Sequence, residues 1–194
     1  MNIAILESIV MPAGHEVEFD RILVEEFKRQ GHQPCFFVPN NYPFKLNYKV
    51  PVIVLEGGEA ISYAGVGKLK KLWLSLQRER RRIAWFDSAY EHAIKGVCDA
   101  IIIPTSSWRG MRSLKKSTLR NSPVPVLFMM HGIMPKDREN FIKGVKSLKA
   151  FSNIHIGVLG LQVDFPELDD CPNFHTILPP VYIPMDLDAE PEFF

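Results

Sequence analysis

Apolar residues along this chain follow two rhythms that alternate through most of its length. "NIAILESIV" is almost continuously apolar, which predicts a short strand covered on both faces. Phe19, Ile22, Leu23 and Phe27 then fall at helical spacing from about Glu16, and Gly31 supplies a stop. "QPCFFVP" and "VPVIVLEGG" read as a second and a third strand, the latter closed by a glycine pair. In "GKLKKLWLSLQRERRRIAWF", Leu69, Leu72, Trp73, Leu76 and Ile83 form one helical stripe opposite Lys70, Lys71, Arg78, Arg81 and Arg82, with Arg80 interrupting the apolar side. A separate helical piece is expected from Asp87 to Lys95, stopped by Gly96. "CDAIIIPTS" and "VPVLFMMHG" are strands with polar ends. Asp137 to Phe151 is helical through Phe141, Val145 and Leu148, and "NIHIGVLG" and "FHTILPPVYIP" are extended.

Strands and helices in alternation, joined by right-handed crossovers, predict an α/β fold: one Rossmann-like, doubly wound, mostly parallel sheet with helices on both faces. A length of 194 residues suits a single large domain, expected over 1–180, with residues 181–194 as an acidic linker or tail. In such a sheet, ligands bind beyond the carboxyl ends of the strands. That rule selects the loops "MPAGHE", "EGGEA", "PTSSWRG", "HGIMP" and "GLQVD" for inspection.

Composition narrows the setting. No apolar run reaches the roughly 18 residues of a membrane span, and no basic start with a cleavage site opens the chain, so a cytoplasmic protein is expected. Cys35, Cys98 and Cys171 are widely spaced and form no CxxC or Cys/His cluster. Buried thiols are expected, and no metal. The net charge of +1 conceals an asymmetry: nothing after Lys149 is Lys or Arg, whereas residues 68–82 carry seven basic side chains against Glu79 alone. That basic helix is a candidate contact for an anionic membrane surface, the inner face of the plasma membrane for a peripheral protein, with Leu74 pointing the same way; a solvated face is the plain alternative. No nucleic-acid partner is expected.

Within the selected loops, Ala13, Gly14 and His15 stand where a strand hands over to a helix, so backbone N–H groups and the helix dipole could meet a phosphate or a sugar hydroxyl. Thr105, Ser106 and Arg109 offer hydroxyls and a planar cationic fork, although a solvated loop with a helix cap at Ser106 or Ser107 is an equal reading. His131, followed by Gly132, ends a strongly apolar strand and is the candidate acid–base group. His155 and His32 read as structural. "GVGKLKK" is not a phosphate loop, since Ser62 and Leu69 break the required spacing, and no GxSxG elbow surrounds the serines.

Taken in order, these segments resemble the N-terminal, acceptor-side domain of nucleotide-sugar glycosyltransferases of the GT-B architecture. "MNIAILESIVMPAGHEVEFDRILVEEFKRQGHQPCFFVP" resembles the family's opening strand, glycine-containing loop, long helix with a "GH" turn and second strand. "CDAIIIPTSS", "VPVLFMMHG" and "FHTILPPVYIP" are similar to its later strands and its lead into the interdomain linker. Two departures stand out: Ala13-Gly14 where the family often has a Gly-Gly pair, and Gly160-Leu161 where a Ser is common.

The resemblance implies an acceptor-binding half, with His131 catalytic and Ala13, Gly14, His15, Thr105, Ser106, Arg109 and Gly132 binding substrate. It also implies a polysaccharide or glycolipid acceptor and a nucleotide-sugar donor. The donor would be shared with a C-terminal domain or partner subunit that the chain lacks, because no second βαβ series follows Pro180. No cofactor is implied. The alternative is a non-catalytic, flavodoxin-like module that binds a nucleotide or small ligand and acts through a partner. A His/Ser hydrolase is the weakest reading.

Overall fold

The computed structural model describes residues 1–8, 15–43, 48–160 and 164–177. Its elements are β1 (Asn2–Leu6), α1 (His15–Arg29), β2 (Gln33–Val38), β3 (Val52–Val54), α2 (Lys68–Ile94) and β4 (Ala100–Ile103), then α3 (Trp108–Lys116), β5 (Val126–Met130), α4 (Arg138–Leu148), β6 (Ile154–Leu159) and β7 (Phe174–Ile177). The strands form one all-parallel sheet in the order β3-β2-β1-β4-β5-β6-β7. This is the Rossmann-like α/β fold that the alternating rhythm predicts.

β1 is apolar from Ile3 to Leu6 because both its faces are covered there. Ile5 packs with Phe36 and Val38 of β2 and Val24 of α1, while Ala4 and Leu6 face the layer of α2, α3 and α4. That layer contributes Trp85, Phe86, Ala89 and Ala93, then Met111 and Leu114, then Phe141, Val145 and Leu148. On the opposite face Phe19 of α1 reaches Met129 and Leu159. The two glycine stops hold. At Gly31 (φ 78°) the amide of His32 bonds Phe27 O and that of Gly31 bonds Lys28 O. At Gly96 (φ 71°) Val97 and Gly96 do the same to His92 and Ala93. Each is a Schellman closure that needs a left-handed residue. All three cysteines are free and buried, as expected, and burial pushes the thiols of Cys35 and Cys98 up to about 11 and about 12.

Three local expectations change. The third strand is only Val52–Val54, because the chain turns away at Gly57 and Gly58, both in left-handed conformation, and Gly58 O takes the indole N–H of Trp85 at 3.1 Å. The two helical pieces are one: no glycine or proline interrupts 68–94, and Asp87, instead of capping a new helix, accepts bonds from the amide and hydroxyl of Thr118 at 2.6 and 2.7 Å. The stripe on α2 is also reassigned. Leu69, Leu72, Trp73 and Leu76 are 90, 68, 56 and 54% exposed, while Leu74, placed on the lipid-facing side, is buried. Length supplies the reason. At about 1.5 Å per residue a helix this long measures about 40 Å, whereas a five-residue strand spans about 17 Å. Only the C-terminal half of α2 lies on the sheet; the rest overhangs the carboxyl ends of the strands.

Candidate functional site

The chain runs outward from β1 to β2 and β3 and then crosses back to β4 on the other side of β1. The carboxyl ends of β1 and β4 therefore flank the point where winding reverses, the usual ligand crevice of such sheets. A cleft of about 710 Å³ lies there. Ser8 after β1 and Thr105, Ser106 and Ser107 after β4 line it, together with Ala60, Ile61 and Tyr63 beyond β3 and the overhanging half of α2.

The α2 wall has a simple origin. Lys71, Ser75, Arg78, Arg82 and Trp85 follow one another at steps of three and four residues, which is one helix face. Trp85 is buried in the core and the four before it line the cleft. Opposite, Arg109 and Arg112 stand on the first turns of α3, whose N-terminal flanking residue is Ser107. Ser107 takes the cap position without a side-chain cap bond.

The side chains are held in place by one another. Glu79 bridges Arg112 at 2.8 Å and Lys116 at 2.6 Å, tying α2 to α3. Lys116 first, with Arg112 behind it, holds the Glu79 carboxyl below the usual range against its burial. Arg82 donates through Nη1 to Ser113 Oγ at 3.1 Å, and Arg81 donates to Glu59 O. The Arg78 guanidinium lies 4.5 Å from the Tyr63 ring centre, and that of Arg109 lies 4.4 Å from the ring of Trp108. Desolvation, with the charge of Arg78, lowers the pKa of Arg82 from its ordinary value. Thr105 is only 9% exposed, and its hydroxyl has no hydrogen-bond partner among the described residues.

Of the residues singled out from sequence, Thr105, Ser106 and Arg109 come together in this cleft. His131 and Gly132 are not among its lining. The His131 ring sits at the end of β5, edge-on to Phe19 at 4.7 Å, with Nε2 donating to Pro104 O at 2.8 Å. Pro104 precedes Thr105, so this bond ties the end of β5 to the loop that floors the cleft. Ala13 and Gly14 lie outside the described residues, and of His15 only the backbone, as the first residue of α1, is described. His155 pairs with His175 of β7, Nδ1 to Nε2 at 3.1 Å, away from the cleft. Among the described residues no group of three or more His, Cys, Asp or Glu could hold a metal ion, and no helix is long and apolar enough to cross a membrane.

No protein-family model matches the chain, and no curated protein matches it in sequence. Solved structures do match. The chain is similar in fold to glycosyltransferases of the GT-B architecture. MurG of Acinetobacter baumannii aligns over 85% of this chain and 43% of its own, at 11% identity and a TM-score of 0.47. Glycosyltransferase SsfS6 of Streptomyces sp. SF2575, solved with thymidine diphosphate, aligns over 91% and 52%, at 14% identity and a TM-score of 0.47. Glycosyltransferase SnogD of Streptomyces nogalater aligns over 84% and 46%, at 12% identity and a TM-score of 0.46. This chain thus spans about half the length of each, and at these identities the likeness is one of fold.

Proposed function

We propose that this chain is the acceptor-binding half of a glycosyltransferase that moves a sugar from a nucleotide-sugar donor to a polysaccharide or glycolipid acceptor. The observation that carries the reading is the cleft at the winding reversal, floored by Thr105 and walled by α2 and α3. In this reading, residues 1–180 are the acceptor unit and 181–194 are an acidic linker or tail. The donor is held across the cleft by a second Rossmann-like unit, a C-terminal domain or a partner subunit. Catalysis then consists mainly of positioning and of stabilising the departing nucleoside diphosphate. His131 supplies acid–base help from the end of β5, where its Nε2–H bonds Pro104 O beside the loop that floors the cleft. Ala13, Gly14, His15 and Gly132 are assigned to acceptor binding in the same reading.

The test is reconstitution. Alone, the chain is expected to show little or no transfer; mixed with a separately expressed donor-binding half, it is expected to transfer sugar to a cognate acceptor. Efficient transfer by the chain alone sinks the reading.

The same proposal places the protein in the cytoplasm, peripherally on the membrane's inner face. Lys68, Lys70 and Lys71 surround the exposed Leu69, Leu72, Trp73 and Leu76 at the free end of α2. Each Lys near an anionic surface contributes about 1 kcal/mol, and the apolar side chains add burial. Co-sedimentation with phosphatidylglycerol vesicles is expected to exceed that with phosphatidylcholine, and Trp73→Glu with Leu69→Glu is expected to abolish the difference. Equal binding to both vesicle types removes the membrane assignment.

A further inference from the structure

The cleft is electrically unbalanced. Among the described residues, Lys71, Arg78, Arg81, Arg82, Arg109 and Arg112 line it against the single carboxylate of Glu79, which is already bridged by Arg112 and Lys116. Arg78, Arg82 and Arg109 enter none of the ion pairs between described residues. Holding several guanidiniums around one crevice without counter-charge costs the free protein, and the desolvated Arg82 feels that cost in its lowered pKa. A second, independent observation points the same way: the Thr105 hydroxyl at the floor is buried and unpartnered among the described residues, a condition that native structures seldom leave unexplained. The positive end of α3 also begins at the cleft, at Ser107.

We propose that the cleft binds a phosphate-bearing group, a mono- or diphosphate ester carried by the acceptor, between Arg78 and Arg82 of α2 and Arg109 of α3, with Thr105 beneath it. A carboxylate would occupy a single planar fork. Three forks on two walls call for a group with several charged oxygens. The volume of about 710 Å³ leaves room for such a group and for the sugar or lipid attached to it. The assignment of this ligand as an acceptor rests on the glycosyltransferase reading; binding itself does not.

Inorganic pyrophosphate titrated into the full chain by calorimetry is the probe. Saturable binding that weakens with salt is expected, and Arg78→Gln and Arg109→Gln are each expected to lower affinity about tenfold or more. Arg120→Gln, which lies over Phe151 and outside the cleft, is the control expected to change nothing. Arg82→Gln is expected to behave as Arg78→Gln, and melting curves identify any variant that fails to fold.

Competition separates the sources of the phosphate. Displacement of pyrophosphate by phosphatidic acid vesicles, lost in Arg78→Gln but kept in Trp73→Glu, assigns the site to a lipid headgroup; no displacement assigns it to a soluble ester. Absence of saturable pyrophosphate binding, or equal affinity in wild type, Arg78→Gln and Arg109→Gln, overturns the proposal. Pyrophosphate binding without transfer in the reconstituted enzyme keeps this inference and removes the transferase reading. Transfer without pyrophosphate binding does the reverse.

Discussion

Phe128→Ala is expected to lower the free energy of unfolding by about 3–5 kcal/mol, the usual result of removing a fully buried aromatic ring. Phe128 of β5 is inaccessible to solvent and lies in the main core cluster. Its ring sits directly beneath α3: a Cβ placed on Gly110 would fall 2.7 Å from Phe128 Cζ. The ring is therefore what the first turn of α3 rests on, and that turn carries Arg109 and its neighbour Arg112 to the cleft. Urea denaturation is the measurement, with the slope of the transition expected to be unchanged. A loss below about 1 kcal/mol would mean that α3 settles into the vacated space, and the ring would then not be its support.

In the reconstituted transferase, His131→Ala is expected to lower turnover by about 10²-fold or more, the scale of general acid–base help. The bond from Nε2 to Pro104 O raises a competing explanation, because the same substitution also unties β5 from the loop ahead of Thr105. His131→Gln separates the two. Its amide can still donate to Pro104 O but cannot take up a proton. Turnover that stays low in the Gln variant, with an unfolding midpoint near wild type, supports proton transfer. Turnover restored by Gln identifies His131 as a positioning residue. A lowered midpoint with unchanged turnover in both variants identifies it as structural.

The middle of the sheet was readable in the sequence because β1, β2 and β5 are buried on both faces, so "IAIL", "CFFV" and "VLFMM" are apolar without interruption. The helix stops were readable because Gly31 and Gly96 perform a backbone task that few other residues can. Thr105, Ser106 and Arg109 followed from the rule about strand ends. Arg78 and Arg82 did not, although the basic run was plain. Periodicity reports which residues share a face; it does not say what that face meets. For α2 the Leu stripe marked out one face, and the half of the helix that bears it extends past the sheet. A usable signal was present: Lys71, Ser75, Arg78 and Arg82 are in phase with Trp85, which has an indole that must be buried. His131 was placed correctly at a strand end, but the orientation of its ring toward Pro104 and Phe19 depends on contacts between β4, β5 and α1 that no local pattern encodes.

Because α2 is uninterrupted from Lys68 to Ile94, cleft wall and core layer are one rod: Arg82 stands three residues before Trp85 and four before Phe86, about one turn. A backbone of continuous hydrogen bonds does not let one end of the helix be held while the other comes loose without breaking the ladder between them. Any ligand gripped by the guanidiniums therefore acts as a clamp on the folded domain. By mass action, a ligand present at a hundred times its dissociation constant adds about 2.7 kcal/mol to resistance against unfolding. Filling the cleft and protecting the core from proteolysis then become the same event.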